Sequence, residues 1–346
     1  MVRRPALVSA GLVALVLLLV GLTLPVPYVE LVPGPVTNTL GKRSDGTPII
    51  TVKGRTTYPT GGHLDLTTVG VRGGPARQLT VAQAIIGWFN PHAAVLPQDV
   101  IYPPGESEQV VEQQNTQEMV DSQQEAITAA LTNLKVPYRT QVVVARVTKG
   151  TPAEGRLRVG DVIIRVDGTA ITDASSLRTL IGRRSPGQSV SLEIRRAGAT
   201  QRVSLPTVSD PQNGTRPIVG VLTTERADPP FTVTINLKNV GGPSAGLMFT
   251  LGIIDTLTPG ELNGGRHVAG TGTINRAGRV GPIGGVPQKV IAAREVGATV
   301  FLTPTDNCAA AERNRPAGLQ LIRVTTLSDA LAGLADLRAG RPVATC

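Results

Sequence analysis

The residue whose type and setting most clearly suggest chemistry is Ser244, in the run GGPSAG. Alternating apolar residues before it predict a strand, and apolar residues at helical spacing after it predict a helix. Gly241 and Gly242 would let the backbone turn sharply between the two. Unpaired N–H groups in a first helical turn can stabilise an oxyanion, so Ser244 is a candidate nucleophile and Gly242 a supporting residue. The ordinary alternative for such a serine is a helix N-cap.

A second glycine-rich run, Thr271–Ala298, supplies a candidate base. It predicts a helix that starts near Pro287, which places Lys289 in the first helical turn. The helix dipole disfavours a cation there, and neighbours such as Val286 and Val290 are apolar. Both effects lower the pKa of an amine, as a lysine general base requires. An exposed lysine is the alternative.

The other reactive residue types give weaker patterns. GPSAG also satisfies GxSxG, the nucleophile elbow of α/β-hydrolases, and Asp255 and His267 follow it in the order that such a triad needs. Asp255 and His267 follow Ser244 too closely in the sequence to leave room for the remaining strands of an α/β-hydrolase sheet. His63, His92 and His267 are isolated and match no metal-binding spacing, and neither cysteine belongs to a CxxC pair. The sequence therefore predicts no metal and no cofactor.

The N-terminal segment reads as an export signal. Arg3 and Arg4 precede an uncharged apolar stretch over residues 6–24, about 28 Å of helix, which is enough to cross a hydrocarbon core. Basic residues before the stretch would keep its start in the cytoplasm and place the remainder outside. A cleaved signal peptide is the alternative, but the stretch is long and Leu24–Pro27 offers no small-x-small cleavage site. We expect an uncleaved single-pass anchor in the cell membrane, with the bulk of the chain extracytoplasmic.

The predicted export of the chain determines whether its two cysteines can be oxidised to a disulfide. Cys308 and Cys346 are the only cysteines in the chain, and an extracytoplasmic compartment can be oxidising. The sequence predicts that they pair in a disulfide, with two unpaired thiols as the alternative.

The amino-acid composition excludes several classes of protein. The chain is 41% apolar and 17% charged, which excludes both disorder and a multi-span membrane protein. Its net charge is +9, but no block of five like charges occurs and aromatic residues make up only 3%. A nucleic-acid partner is therefore not expected. No GxxxxGK[ST] loop occurs, so this chain holds no such ATP-binding motif.

Residues 141–206 form a strand-rich segment with a short helix near Asp173–Ile181. Its run KGTPAEGRLRVGDVIIRVDGTAI, at 149–171, resembles a PDZ domain. The resemblance implies that this part accepts a peptide as an added strand, for substrate capture or gating. The loop before Val142 reads LKVPYRT and has no glycine, unlike the loop with which PDZ domains hold a terminal carboxylate. That difference favours internal or extended segments as ligands.

GGPSAG and PIGGVPQKVIAA together resemble the proteolytic domain of the Lon family, whose enzymes use a Ser–Lys dyad. The resemblance implies that Ser244 is the nucleophile, Lys289 the base and Thr271 the hydroxyl that positions the lysine. Gly241 stands where the family usually has an aspartate. GGHLDLTTV and EMVDSQQEAITAAL resemble the first strand and first long helix of the same domain, which implies a PDZ domain inserted into a Lon fold.

The predicted fold is therefore α+β, a Lon-type proteolytic domain with an inserted PDZ domain and an N-terminal transmembrane helix. The expected domains are a cytoplasmic tip and anchor (1–30), a neck and N-terminal Lon part (31–134), the PDZ domain (135–208) and the catalytic Lon part (209–346). The resemblance implies an ATP-independent serine endopeptidase of the bacterial membrane that acts on polypeptides and forms a homo-oligomeric ring such as a hexamer. The alternatives are a membrane-tethered PDZ adaptor without catalysis and a GxSxG esterase.

Overall fold

The computed structural model describes residues 3–211, 213–237 and 240–346. The chain divides into two compact units. Unit 1 comprises Met1–Ala130 and Val233–Cys346, and unit 2 comprises Leu131–Thr232. Unit 1 is thus discontinuous in sequence and unit 2 is continuous.

The described residues of the first half of unit 1 form α-helices and β-strands. The helices are α1 (Arg3–Thr23), α2 (Val81–Phe89) and α3 (Glu108–Asn133), whose last residues extend into unit 2. The strands are β1 (Pro25–Val26), β2 (Tyr28–Asn38), β3 (Ile50–Lys53), β4 (His63–Gly73), β5 (Leu79–Thr80) and β6 (Ala94–Pro97).

The N-terminal helix corrects one part of the predicted fold. A membrane-spanning helix needs about 20 predominantly apolar residues to cover a hydrocarbon core about 30 Å thick. Among the residues that the structure describes, no helix combines the length and apolar character needed to cross a membrane. The transmembrane helix predicted within residues 1–30 is therefore wrong. Met1 and Val2 of the predicted cytoplasmic tip lie outside the described residues.

Unit 2 is built on an antiparallel sheet. Its elements are β7 (Arg139–Val147), β8 (Val162–Val166), β9 (Thr169–Ala170), α4 (Ala174–Ile181), β10 (Ser189–Arg196), β11 (Ala199–Pro206), β12 (Val208–Asp210), β13 (Asn213–Ile218) and β14 (Val221–Asp228). The strand order is β11-β10-β8-β7-β14, with β9 paired to β8 and β12 to β13. Buried aliphatic residues from alternate strand positions and from α4 form its core.

Unit 2 extends beyond the predicted PDZ segment of 135–208. Its strand β14 pairs with β7 from Val221↔Val147 to Asp228↔Arg139. Asp161 helps to hold the start of β8, since the Arg196 guanidinium donates to it at 2.6–2.7 Å.

The second half of unit 1 supplies the remaining elements. The strands are β15 (Thr232–Ile235), β16 (His267–Gly270), β17 (Thr273–Ile274), β18 (Val280–Gly281), β19 (Val300–Pro304) and β20 (Gln320–Val324). The helices are α5 (Gly246–Leu257), α6 (Val286–Glu295), α7 (Cys308–Arg313) and α8 (Leu327–Arg338).

The main sheet of unit 1 has the order β20-β19-β16-β4-β2-β6. Strands β20, β19, β16 and β4 are parallel, whereas β2 is antiparallel to both β4 and β6. Helix α5 is apolar nearly all round and almost completely buried, as expected of a helix in the core. Helix α6 packs its Val286, Val290 and Ala293 against Ala269 and Phe301 of the sheet. The carboxyl end of β16 is thereby brought near the start of both helices.

Candidate active site

Ser244 lies in a turn immediately before α5. The N-cap of that helix is Ala245, and no side chain caps it, so Ser244 does not serve as the N-cap. Its backbone carbonyl accepts from the Gly272 N–H at 2.9 Å, which fastens this turn to the segment after β16. The Ser244 side chain is therefore left available for another contact.

Helix α3 holds the other side of the turn. The Gly242 N–H donates to the Asn115 carbonyl at 2.8 Å, and the Ser122 hydroxyl donates to the Pro243 carbonyl at 2.9 Å. Gly242 adopts φ +79°, a conformation that favours glycine. Sequence reasoning missed Asn115 and Ser122 because their partners lie more than 120 residues away in the chain.

Gly241 is required for a steric reason. A Cβ atom built on it would lie 2.8 Å from the Cβ of Asn115, closer than van der Waals contact allows. An aspartate, which the Lon pattern usually has here, would not fit beside Asn115. The glycine at position 241, in place of the usual aspartate, therefore allows α3 to pack closely against this turn.

Lys289 lies in the first turn of α6 and is 3% exposed. Its Nζ lies 2.8 Å from the Ser244 Oγ and 3.0 Å from the Thr271 Oγ1. Burial lowers the pKa of the amine to about 7, because a buried ammonium loses its hydration. The amine is therefore neutral in a large fraction of molecules near neutral pH.

Thr271 completes the arrangement at the carboxyl end of β16. Its side chain is fully buried, and its hydroxyl donates to the Ser244 carbonyl at 3.1 Å. Because the Thr271 hydroxyl uses its one proton in the hydrogen bond to this carbonyl, it can only accept a hydrogen bond from Lys289. Ser244, Lys289 and Thr271, which the sequence singled out separately, are thus joined in one hydrogen-bonded cluster.

A tight glycine turn positions α6 over the sheet. Gly285, the N-cap of α6, has φ +66°, and a Cβ built on it would overlap the side chain of Val69 in β4. Pro287 at the start of the helix matches the fixed backbone angle that this position favours. The helix start therefore lies directly against β4, next to Ser244.

A cleft of about 720 Å³ opens over Ser244 and Lys289. Its walls are mostly apolar and come from β2, β4, β6 and the loops on either side, including Leu31, Val69, Leu96 and Ile101. A largely apolar cleft with a few convergent polar groups is the usual form of a binding site.

The alternative triad is not assembled. His267 Nε2 lies 2.6 Å from the Asp65 Oδ2, and Asp255 accepts from the Leu262 N–H at 2.6 Å. Asp255 is fully buried within α5, and burial raises its pKa to about 6. The geometry joins Ser244 to Lys289, not to a histidine, and gives the esterase alternative no support.

Comparison with known proteins matches two segments of the chain. Residues 111–207 match the PDZ domain family, and residues 238–333 match the family described as the Lon protease (S16) C-terminal proteolytic domain. These two segments of the chain are therefore similar to a PDZ domain and to a Lon-type proteolytic domain. The Lon-type match includes Ser244, Thr271 and Lys289.

Curated relatives match this chain over short stretches. The chain is 40% identical over 93 residues to a Lon protease of Azospirillum brasilense, which is 26% of this chain and 11% of that protein. It is 43% identical over 61 residues to a probable periplasmic serine endoprotease, DegP-like, of Halomonas elongata, or 18% of this chain and 13% of that protein. The chain thus spans about a tenth of the length of the curated relatives it matches.

Among solved structures, the PDZ domain of an SdrC-like protein from Listeria monocytogenes is similar to this chain. The two are 21% identical with a TM-score of 0.23, over 24% of this chain and 86% of that one.

Proposed function

We propose that this chain is an ATP-independent serine endopeptidase in which Ser244 is the nucleophile and Lys289 the general base. The observation that carries the proposal is the hydrogen-bonded cluster of Ser244, Lys289 and Thr271 at the cleft. A buried lysine with a pKa near 7 and a serine hydroxyl 2.8 Å away form the pair that nucleophilic catalysis without histidine requires. The absence of a GxxxxGK[ST] loop from the sequence supports ATP independence for this chain.

The proton positions follow from the hydrogen bonds. A neutral amine has two N–H groups and one lone pair. Since the Thr271 hydroxyl can only accept from Lys289, one N–H points to Thr271, and the lone pair is free to accept the Ser244 proton. Thr271 is thus a positioning residue that orients the base.

The reaction then has two halves. The Ser244 Oγ attacks the peptide carbonyl carbon while its proton moves to the Lys289 Nζ, and the resulting ammonium protonates the departing amine nitrogen. The products of this half are an acyl-enzyme ester, a free amine and a neutral lysine. Water attacks the ester in the second half, gives its proton to Lys289, and the Ser244 oxygen leaves and regains that proton.

The oxyanion of both steps needs N–H donors. In the described part of the chain, the backbone N–H groups of Ser244 and Ala245 donate to no backbone carbonyl. Both lie at the start of α5, where the helix dipole adds positive potential. We assign the oxyanion hole to this turn.

The PDZ domain is the proposed docking site for substrate polypeptide. Strand β14 is at the end of its sheet, and the loop before it contains Gly220 at φ +89°. The carbonyls of Val219 and Gly220 accept from Ala153 and Thr148, which hold this loop in place. The loop before β7 has no glycine, whereas the loop before β14 has Gly220, and we propose that a terminal carboxylate binds there.

We also propose an oxidising compartment outside the cytoplasm. The structure joins Cys308 and Cys346 in a disulfide, which persists in such compartments and is rare in a reducing cytosol. The ring-shaped homo-oligomer implied by the Lon resemblance stays a prediction, which sedimentation velocity of the purified chain checks.

The deciding experiment is cleavage of an unfolded protein, reduced casein, by the purified chain without nucleotide. The wild type should cut it, and Ser244→Ala should lose at least about a thousandfold in kcat while keeping its fold, since Ser244 makes no capping bond. Ser185→Ala, which removes an exposed serine from unit 2, is the matched control and should keep full activity. An inactive wild type would favour the adaptor alternative, and an active Ser244→Ala variant would refute the nucleophile assignment.

A further inference from the structure

Two histidines and an aspartate meet at the amino ends of β4 and β16, at the end of β16 opposite Thr271. His63 is the first residue of β4 and His267 the first residue of β16, and they are direct partners across this parallel pair. Side chains alternate along a strand, so Asp65 is on the same face as His63. The register therefore brings all three side chains to one face of the sheet.

The atoms of this cluster are close enough to share one ion. His267 Nε2 lies 2.6 Å from Asp65 Oδ2, and His63 Nδ1 lies 3.4 Å from Asp65 Oδ1. One ligand atom from each residue lies within 4.8 Å of the other two. Ligand atoms held about 2.0–2.1 Å from one tetrahedral zinc ion are about 3.3 Å apart. The observed separations bracket that value, and the two imidazole rings, which are stacked with centroids 4.1 Å apart, would rotate so that one nitrogen of each points at the ion.

Asp65 also has a buried oxygen that accepts no hydrogen bond. Its side chain is 4% exposed, and among the described residues its Oδ1 accepts no hydrogen bond and has only the 3.4 Å contact with His63 Nδ1. A buried carboxylate oxygen without a hydrogen bond is costly, and a bound cation would satisfy it. The cluster is open on one side, because the His63 side chain is 49% exposed and that of His267 is 21% exposed. An ion could enter there and keep a water as its fourth ligand.

We propose that His63, Asp65 and His267 form a binding site for a divalent transition-metal ion of the zinc type. Two imidazoles and one carboxylate suit zinc and its neighbours, whereas calcium and magnesium prefer oxygen ligands throughout. The ion would link β4 to β16 where the parallel pair begins. None of the three residues contacts Ser244 or Lys289 in the described hydrogen-bond network, so the site is separate from the proposed catalytic cluster.

Calorimetric titration of tag-free, chelator-treated full-length protein with ZnCl₂ tests the proposal. We expect one zinc ion per chain with a Kd of about 10 µM or lower. His63→Ala and His267→Ala should each weaken binding at least about tenfold. His92→Ala removes the one histidine outside the cluster and is the matched control, which should bind as the wild type does.

Thermal unfolding gives a second readout that also reports folding of the variants. Zinc at 100 times the wild-type Kd should stabilise wild type and His92→Ala, raising the Tm, and should raise the Tm of His267→Ala clearly less. The proposal is overturned if the wild type binds no zinc below about 100 µM, if binding survives in His63→Ala/His267→Ala, or if Ca²⁺ binds as tightly as Zn²⁺. In the first case the cluster is only a pair of histidines hydrogen-bonded to a carboxylate.

Discussion

The protonation of the Lys289 amine sets the pH dependence that we expect of the proposed peptidase. Burial lowers the pKa of Lys289 to about 7, and the neutral amine is the proposed working form. The value of kcat/KM should therefore fall about tenfold per pH unit as the pH drops below 7, and level off above it. Activity measured on a short peptide between pH 5 and 9 checks this.

Two substitutions of Lys289 identify the titrating group. Lys289→Met keeps the stem without the amine, and Lys289→Arg replaces it with a guanidinium that cannot act as a base. Each should lower kcat/KM by about 10²- to 10⁴-fold and remove the slope below pH 7. Lys149→Met, at an exposed position, is the matched control. A wild-type slope that persists in Lys289→Met would assign the titration to another group.

Asp255 should make folding stability depend on pH. Burial raises its pKa to about 6 in the folded chain, against an ordinary value of 3.8, so the folded state binds the proton more tightly than the unfolded state. Above about pH 6 the ionised carboxylate therefore lowers the free energy of unfolding by about 1–3 kcal/mol. This penalty disappears as the pH falls from about 6 to about 4, so the fold becomes more stable over that range.

Urea denaturation of Asp255→Asn at pH 4 and pH 8 checks this. The unfolding free energy of Asp255→Asn minus that of the wild type should be about 1–3 kcal/mol larger at pH 8 than at pH 4. A difference that is the same at both pH values would contradict the assigned burial effect.

At the scale of elements, strand β14 is where substrate docking can be tested. Deleting residues 136–206 would leave β14 without its partner β7, so a point change is a cleaner test. Leu222 is exposed on β14, and an aspartate there should oppose the addition of a peptide strand. Leu222→Asp should raise KM for casein about fivefold or more, and affect cleavage of a short peptide less.

The matched control for docking is Val208→Asp, which places the same charge at an exposed valine of β12, outside that sheet. It should leave KM for casein unchanged. Equal loss on casein and on the short peptide in Leu222→Asp would indicate a general structural defect instead of a docking defect.

The elements around the candidate site could largely be predicted from the sequence. Strand alternation and helical spacing on either side of Ser244, and Pro287 after a glycine turn, are local signals, and the structure has β15, α5 and α6 there. Contacts distant along the chain could not be predicted in this way. Neither the Asn115–Gly242 hydrogen bond nor the pairing of His63 with His267 leaves a trace in local spacing, because both depend on how strands and helices are arranged.

For the whole molecule, the disulfide fixes the C-terminal tail. It closes a separation of 38 residues between Cys308 and Cys346, and Ile322 of the edge strand β20 forms a bridge with Thr345. The tail thus covers part of an edge that could otherwise pair with another chain. Replacing both cysteines with serine should lower the free energy of unfolding by about 2–4 kcal/mol, as measured by urea denaturation.

Chemical mapping checks the bridge itself. Thiol titration of the denatured, non-reduced protein should find no free thiol, and a non-reduced digest should contain a peptide pair joined through Cys308 and Cys346. Two free thiols per chain would contradict the pairing.

The discontinuity of unit 1 has a consequence for how the protein is made. Strand β4 must wait for its parallel partner β16, since Asp65 and His267 are 202 residues apart in the chain. At a synthesis rate of 5–20 residues per second, that delay is roughly 10–40 s. During this interval the ribosome delivers the whole of unit 2, whose strands find their partners within a continuous segment. Unit 1 is thus the last part of the chain to acquire its structure, and the nascent protein has not yet assembled the proposed catalytic cluster when unit 2 is already complete.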